Sequence, residues 1–247
     1  MPVIDFNCDL GEGIGNDEAI MPFISSANIA CGFHAGDHET IKETTVLCLK
    51  HNVAIGAHPS FPDKENFGRM NMDLPVAEIY LLVLQQVHSL SAIVKSLGQQ
   101  LHHIKPHGTL YNMAAKNISI ANAIVKAAKD FDEKIFLYGL SGSAIEKAAG
   151  INHIKFIGEA FADRTYQADG SLTPRTQAGS LIEDEEESIR QVFQIINNKA
   201  VTCVTGEIIP LKAETICIHG DGKHAVRFAR ALYNHLKNSG LTIQSPK

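Results

Sequence analysis

Short apolar segments alternate with longer segments of helical periodicity along the 247-residue chain. This alternation predicts parallel strands joined by right-handed helical crossovers. Helices are expected at residues 38–51, 76–97, 111–129, 143–149, 183–198 and 223–238, with a small hairpin at 201–211. We predict seven strands, at residues 3–8, 28–32, 53–58, 101–107, 134–140, 154–161 and 215–219.

The predicted elements fit one domain over residues 1–247, because a single α/β barrel typically uses about 250 residues. No linker rich in Pro, Gly or Ser divides the chain, and no low-complexity segment interrupts it. Two architectures satisfy the pattern, a TIM-like (β/α) barrel and a doubly wound open sheet. Periodicity alone does not separate them.

Composition excludes several function classes. The chain has 22 Lys and Arg against 27 Asp and Glu, a net charge of −5, which argues against nucleic acid or an anionic membrane as the main partner. No stretch approaches the roughly 18 apolar residues that span a bilayer, and the N-terminus does not read as a signal peptide. The five cysteines are scattered without a C-x-x-C pair. Reduced thiols in a cytoplasmic protein are therefore expected.

Ionisable side chains lie at or just after the C-terminal ends of at least six predicted strands. In a parallel barrel these ends converge on one face, where active sites are built. In an open sheet only the crevice at the switch point would collect them. The positions therefore favour a barrel hydrolase, with candidate site residues Asn7, Asp9, Glu12, His34, His58, Lys105, His107, Glu159 and Asp163.

Some polar residues have a structural interpretation as well. Asp5 can satisfy backbone groups near the barrel floor, and Asp37 can cap a helix. Lys105 lies in an otherwise buried segment, and a buried lysine needs a carboxylate or a substrate anion. Arg69 lies in a long polar loop, where functional lids are frequent, although a solvated arginine fits equally well.

Two kinds of hydrolytic mechanism use such residues. One places a divalent metal on His and Asp ligands and activates water. The other is metal-free, with a carboxylate or His as the base and Lys or His stabilising the oxyanion. The sequence has no H-E-x-x-H or H-x-H pair, no G-x-S-x-G motif and no complete nucleotide-binding motif. We therefore assign no residue as a metal ligand.

Several long motifs resemble one family. They are D-F-N-C-D-L-G-E-G at 5–13, N-I-A-C-G-F-H-A-G-D at 28–37, G-A-H-P-S-F-P-D at 56–63, F-G-R at 67–69, K-P-H-G-T-L-Y-N at 105–112 and E-A-F-A-D-R at 159–164. In this order they resemble the LamB/YcsF family of 5-oxoprolinase A subunits, over nearly the whole chain. Thr109 stands where the family pattern has Ala.

The resemblance implies an irregular seven-stranded barrel related to the glycoside hydrolase/deacetylase superfamily. It also implies ATP-dependent opening of 5-oxo-L-proline to L-glutamate, in a complex with 5-oxoprolinase subunits B and C. This chain has no recognisable ATP motif, so ATP, with a divalent metal such as Mg, is expected on the partners.

On this basis the general base is expected to be Asp9, Glu12 or His107. The negative charge that develops in the reaction is expected to be stabilised by Lys105, His34 or His58. Glu159 completes the predicted catalytic set. Asn7, Arg69 and Asp163 are predicted to bind substrate, with Arg69 on its carboxylate. Two alternatives remain open at this point: a metal-dependent, deacetylase-like hydrolase of amides or carbohydrates, and a non-catalytic substrate-binding subunit.

Overall fold

Seven parallel strands close into a barrel in the computed structural model, which describes residues 2–222 and 224–247. Strand β1 pairs with both β2 and β9, so the barrel runs β1-β2-β3-β4-β5-β6-β9 and has no open edge. The predicted barrel is confirmed and the open sheet is wrong. The strands are β1 Val3–Leu10, β2 Ser26–Ala30, β3 Ala54–His58, β4 His103–Ile104, β5 Phe136–Leu140, β6 Phe156–Phe161, β7 Ala200–Thr202, β8 Ile208–Pro210, β9 Thr215–His219 and β10 Thr242–Ile243.

Three strands, β7, β8 and β10, lie outside the barrel. The antiparallel pair β7 and β8 is the predicted hairpin. Strand β10 pairs in parallel with the start of β1 and was not predicted. The helices are α1 Asp17–Ile20, α2 His38–His51, α3 Val76–Ser96, α4 Gly108–Lys116, α5 Ile118–Phe131, α6 Ala144–Asn152, α7 Glu185–Asn198 and α8 Ala225–Asn238.

The region predicted as one helix at 111–129 is two helices, α4 and α5. Asn117 separates them because its backbone is extended, with φ −114° and ψ 110°. Its side chain accepts hydrogen bonds from the backbone N–H groups of Ser119 and Ile120 and so caps α5. Asp37 caps α2 in the same way, through the N–H of Thr40.

Another helix boundary differs from the prediction, and one short helix was not predicted. Gly150 was expected to end α6, but it lies inside that helix, which continues to Asn152. His153 ends it instead, in the left-handed conformation with φ 58°. The short helix α1 was missed because four residues are too few to show a helical period.

Helix α3 is long and apolar enough to cross a membrane by length and composition, contrary to the expectation that no segment is. One such helix is weak support for insertion, because the core helices of globular domains pass the same test. Its inward side is buried in the hydrophobic core through residues such as Val83 and Val87. In the same helix Gln86 hydrogen-bonds both backbone groups of Ser60, at the end of β3. These contacts describe a helix packed on the barrel.

The barrel interior is polar, whereas branched apolar residues fill most barrels of this type. At its floor Asp5 accepts hydrogen bonds from the hydroxyls of Ser25, Ser26 and Thr215, at 2.6–2.7 Å. Burial raises the pKa of Asp5, although these hydrogen bonds oppose the shift. Asp5 thus has a structural role, although its partners are side-chain hydroxyls and not the backbone groups expected from the sequence.

A second polar layer lies above this floor. The amide of Asn7 donates to Glu159 and Thr215, and the amide of Asn28 donates to Asn7 and Asp9. A ring nitrogen of His103 lies 2.7 Å from Oδ1 of Asn28. Each layer therefore holds the next in place.

Gly56 makes room for this layer. A Cβ atom at this position would lie 2.0 Å from Nε2 of His103. The His103 ring is fully buried and stacks on Tyr138, with centroids 4.1 Å apart. Only glycine leaves space for that ring.

Candidate active site

Four side chains from four consecutive strand ends meet above the polar layers. Glu12 follows β1, His34 follows β2, His58 ends β3 and His107 follows β4. One ligand atom from each lies within 4.8 Å of those of the others, and all four side chains are buried. The rings of His34 and His107 stack with centroids 3.8 Å apart. We call these four residues the Glu–His cluster.

A loop glycine allows this close arrangement. Gly68 has φ +66°, and a Cβ there would lie 2.9 Å from the ring of His107 and 3.0 Å from Cβ of His34. The carbonyl of Phe67, the preceding residue, lies 2.9 Å from Nε2 of His107. The F-G-R segment thus forms one wall of the cluster.

Carbonyl oxygens determine the tautomers of two histidines. Nδ1 of His58 is 2.7 Å from the carbonyl of Lys105, and Nε2 of His107 is 2.9 Å from that of Phe67. A carbonyl only accepts, so each of these nitrogens carries a proton. The remaining nitrogens, Nε2 of His58 and Nδ1 of His107, lie 2.8 Å apart. Two lone pairs cannot face each other at that distance, so a proton or a cation must lie between them.

The donor set of the Glu–His cluster fits a divalent transition metal, because imidazole and carboxylate are ordinary ligands of zinc and iron. The ring nitrogens that face away from it meet oxygen atoms: Nδ1 of His34 lies 2.8 Å from Oγ of Ser60, and two carbonyls hold His58 and His107. Outer partners of this kind orient metal-binding histidines. The sequence assigned no metal ligand, and the structure brings four candidates together.

Lys105 is the centre of a second group at the barrel axis. Its ammonium lies 2.8 Å from Asp9, 2.9 Å from Glu159 and 2.9 Å from Sγ of Cys217. Burial opposes the charged form, yet the carboxylate of Asp9, together with Glu159, raises the pKa of Lys105 well above its usual value. Lys105 is therefore a fixed positive charge.

The two acidic residues after β1 are pushed in opposite directions. Burial opposes ionisation of Asp9, but His58 and Lys105 lower its pKa well below the usual range. Burial and the charge of Asp9 raise the pKa of Glu12 well above the usual range. Burial also lowers the pKa of His34 and His107. Neighbouring carboxylates with opposed pKa shifts are typical of acid–base sites.

A cavity of about 770 Å³ opens above Lys105. The long loop between β6 and α7 forms one wall, and helix α4 forms another. This volume is in the range of small-molecule sites. The cavity makes Asp9, His58, Lys105 and His107 accessible from one side.

A sequence profile of the LamB/YcsF family matches residues 4–247. The chain belongs to this family. A Bacillus cereus (strain AH187) protein, named as the A subunit of 5-oxoprolinase, is 50% identical over 253 residues, with both chains covered completely. A Bacillus thuringiensis subsp. konkukian (strain 97-27) protein of the same name is also 50% identical over the full length of both.

Solved structures agree with this membership. The lactam utilization protein from Thermus thermophilus is 39% identical, with a TM-score of 0.92 and coverage of 99% of this chain and 100% of that one. A family 4 carbohydrate esterase from Streptomyces lividans has a TM-score of 0.55 at 7% identity, over 100% and 93% of the two chains. That second likeness shows the fold alone.

The predicted site residues of this LamB/YcsF chain form three groups according to their location. Asp9, His58, Arg69, Lys105 and His107 line the cavity. Glu12 and His34 are buried, and both contact His107 through the Glu–His cluster. The remaining three are bonded to protein groups: Asn7 and Glu159 to each other inside the barrel, and Asp163 to Nδ1 of His219 at 2.9 Å.

Several cavity residues were missed by sequence reasoning, among them Tyr111, Arg164, Arg175 and His219. The buried hydroxyl of Tyr111 and Oε2 of Glu159 have no hydrogen-bond partner within the described residues. Burial and the nearby Glu159 raise the pKa of Tyr111 well above its usual value. The sequence did contain signals for three of these residues, because Tyr111 and Arg164 lie in the K-P-H-G-T-L-Y-N and E-A-F-A-D-R motifs and His219 ends a predicted strand. Arg175 had none, because its loop has no periodic pattern.

Proposed function

We propose that this chain is the A subunit of an ATP-dependent 5-oxoprolinase and opens the 5-oxo-L-proline ring after activation by its partners. Two full-length relatives at 50% identity carry that name. The site supports an amide hydrolase, because a fixed cation, an ionised carboxylate and imidazole side chains converge on one cavity. We expect the complex to act in the cytoplasm.

Activation is needed because a five-membered lactam is an unstrained amide. Phosphorylation of its oxygen makes the ring carbon electrophilic. The chain has no complete nucleotide-binding motif, so we assign ATP, with a divalent ion such as Mg²⁺, to subunits B and C. This chain would then receive the phosphorylated ring.

The chemistry assigned to this chain is acid–base catalysis on that ring. The ionised carboxylate of Asp9 takes a proton from water, whose oxygen bonds to the ring carbon. The proton shared by His58 and His107 is transferred to the leaving nitrogen, and Asp9, 3.3 Å from His58, returns its proton to the pair. Cleavage of the C–N bond, with protonation of the nitrogen, gives an acyl phosphate. A second water then releases phosphate and leaves glutamate. Lys105 stabilises the negative charge that develops on oxygen.

The observation that carries this proposal is the ammonium of Lys105, held charged at the base of the cavity. The co-purified complex of this chain with subunits B and C should form glutamate from 5-oxoproline and ATP. Lys105→Ala and His107→Ala in this chain should lower turnover at least about 100-fold. Lys147→Ala and His88→Ala, at exposed positions, should leave it unchanged.

Two outcomes would count against the proposal. ATP-dependent glutamate formation by the purified chain alone would refute the division of labour among subunits. Full turnover of a folded complex containing Lys105→Ala would support a purely substrate-binding role instead.

A second function, metal-dependent hydrolysis of an amide or carbohydrate, is favoured by the Glu–His cluster. A bound divalent ion would act as a Lewis acid and lower the pKa of water. Elemental analysis should then find about one zinc or iron per chain, and added metal should raise the melting temperature. His34→Gln should abolish both effects and His88→Gln neither. A metal-free, fully active complex would exclude this function.

A further inference from the structure

The charged residues that line the cavity are mainly cationic, although the chain as a whole carries a net negative charge. Its walls carry one carboxylate, Asp9, and five cationic side chains, whereas the chain has a net charge of −5. A cavity that concentrates positive charge on an acidic protein attracts anions. The five cations are Arg69, Lys105, Lys116, Arg164 and Arg175.

Internal ion pairs account for only part of this charge. Lys105 is paired with Asp9 and Glu159, and Arg69 lies 2.5 Å from Asp221. Arg164, which is buried, donates to backbone carbonyls at Thr173 and Ser180. Arg175 forms no ion pair within the described residues.

Three of these cations, Arg69, Arg164 and Arg175, line the same cavity and influence one another electrostatically. Burial and the adjacent Arg175 lower the pKa of Arg164 to about 10. The cavity walls, which partly desolvate it, and the charge of Arg69 lower the pKa of Arg175. Asp163 and Asp221 face this group but are bonded to His219 and Arg69. Guanidinium groups that line one cavity repel one another, and an anion bound among them would relieve that repulsion.

We propose that Arg69, Arg164 and Arg175 bind a phosphoryl group, and that this group belongs to the activated substrate ring. The inference rests on the proposed function, which has this chain receive a phosphorylated lactam. Guanidinium groups bind phosphate through paired, charge-assisted hydrogen bonds. Ser171 and Thr173 also line this cavity.

The size of the cavity supports a ligand larger than the lactam ring. Sites for small molecules range from about 300 to 1,000 Å³, and this cavity of 770 Å³ is in the upper part of that range. The ring would lie over Lys105, with the phosphoryl group toward Arg175. A nucleotide offers the same phosphoryl chemistry, so the experiment must distinguish the two sources.

The test is equilibrium binding to the purified chain, measured by calorimetry at constant ionic strength. The probes are phosphonoacetate, a small stable stand-in for an acyl phosphate, acetate as its counterpart without phosphorus, and a non-hydrolysable ATP analogue. The chain should bind phosphonoacetate at least about tenfold more tightly than acetate or the ATP analogue. Arg175→Gln should weaken phosphonoacetate binding about tenfold, which corresponds to about 1.4 kcal/mol.

Arg190→Gln is the matched control, because Arg190 is exposed on α7 and pairs only with Glu186. It should leave phosphonoacetate binding unchanged. Equal binding of acetate and phosphonoacetate, or unchanged binding in Arg175→Gln, would overturn the site. Tighter binding of the ATP analogue would overturn its assignment to the substrate ring. Each of these results would still be compatible with an active complex that depends on Lys105. A failure of this binding test would therefore overturn the phosphoryl site without overturning the proposed function.

Discussion

The ammonium group of Lys105 lies 2.8 Å from Oδ1 of Asp9 inside the closed barrel, and neither side chain is more than 5% exposed. Lys105 also pairs with Glu159 at 2.9 Å. One buried cation thus serves two buried carboxylates, so the barrel interior depends on that single charge.

Lys105→Met should destabilise the fold by about 3–5 kcal/mol, because it removes the cation that two buried carboxylates share. Urea denaturation measures this change. Adding Glu159→Gln to Lys105→Met should recover part of the loss, because one uncompensated charge is then removed. If Lys105→Met were as stable as the parent, these carboxylates would have to be protonated in the folded state.

Gly56→Ala should destabilise the protein by about 3 kcal/mol, because the added Cβ would overlap the buried ring of His103. Gly150→Ala is the matched control. It lies inside α6, and a Cβ there meets nothing within 4 Å. That substitution should stabilise the protein by about 0.5–1 kcal/mol, because alanine favours helix. Thermal melting of the two variants should shift in opposite directions.

The Asp163–His219 contact predicts a specific pH dependence. Burial opposes ionisation of Asp163, but His219 holds its pKa below the usual 3.8. A carboxyl whose pKa is lower in the folded state stabilises the fold above pH 4, and that contribution disappears as the pH falls through the folded pKa. Asp163→Asn should therefore cost on the order of 2 kcal/mol at pH 7 and much less near pH 2.

Chemical denaturation across that pH range measures the difference between parent and variant. The exposed Asp73→Asn should show little difference at any pH. A cost for Asp163→Asn that stayed constant down to pH 2 would contradict the assignment.

All five cysteines are unpaired and buried in the structure. Burial raises the pKa of Cys31 to about 12, so almost no thiolate forms at pH 8. The native protein should therefore react with Ellman's reagent only over hours, and five thiols should react at once in guanidinium chloride. A thiol that reacts within seconds in the native protein would show that one cysteine is accessible.

The barrel, and the convergence of many candidate site residues on one face, could be predicted because strand ends follow directly from local patterns. Asp9, His58 and His107 end or follow apolar segments, and parallel strands bring such positions to one face. Asn117 could not be placed as a helix boundary, since the apolar period continues across it. Its extended backbone is visible only in the structure.

Long-range geometry explains what the sequence did not show. The four members of the Glu–His cluster come from four strand ends, so no local spacing identified them as possible metal ligands. The position of Arg175 depends on how its loop folds back, through bridges between Arg164 and Leu181 and between Tyr166 and Leu172. The histidine tautomers depend on contacts with backbone carbonyls. Every residue has such a carbonyl, so the sequence does not show which ones contact a histidine.

The pairing of β1 with β9 has a consequence for the order of events during protein synthesis. The hydroxyl of Thr215 donates to Asp5 at 2.7 Å, across 210 residues of sequence. The ribosome must therefore release most of the chain before β1 and β9 can pair and close the barrel. One edge of β1 stays unpaired until then. Contacts between residues so distant in sequence form slowly. A nascent chain with this topology exposes an open sheet and a polar groove, so we expect it to depend on protection from aggregation until the last barrel strand emerges.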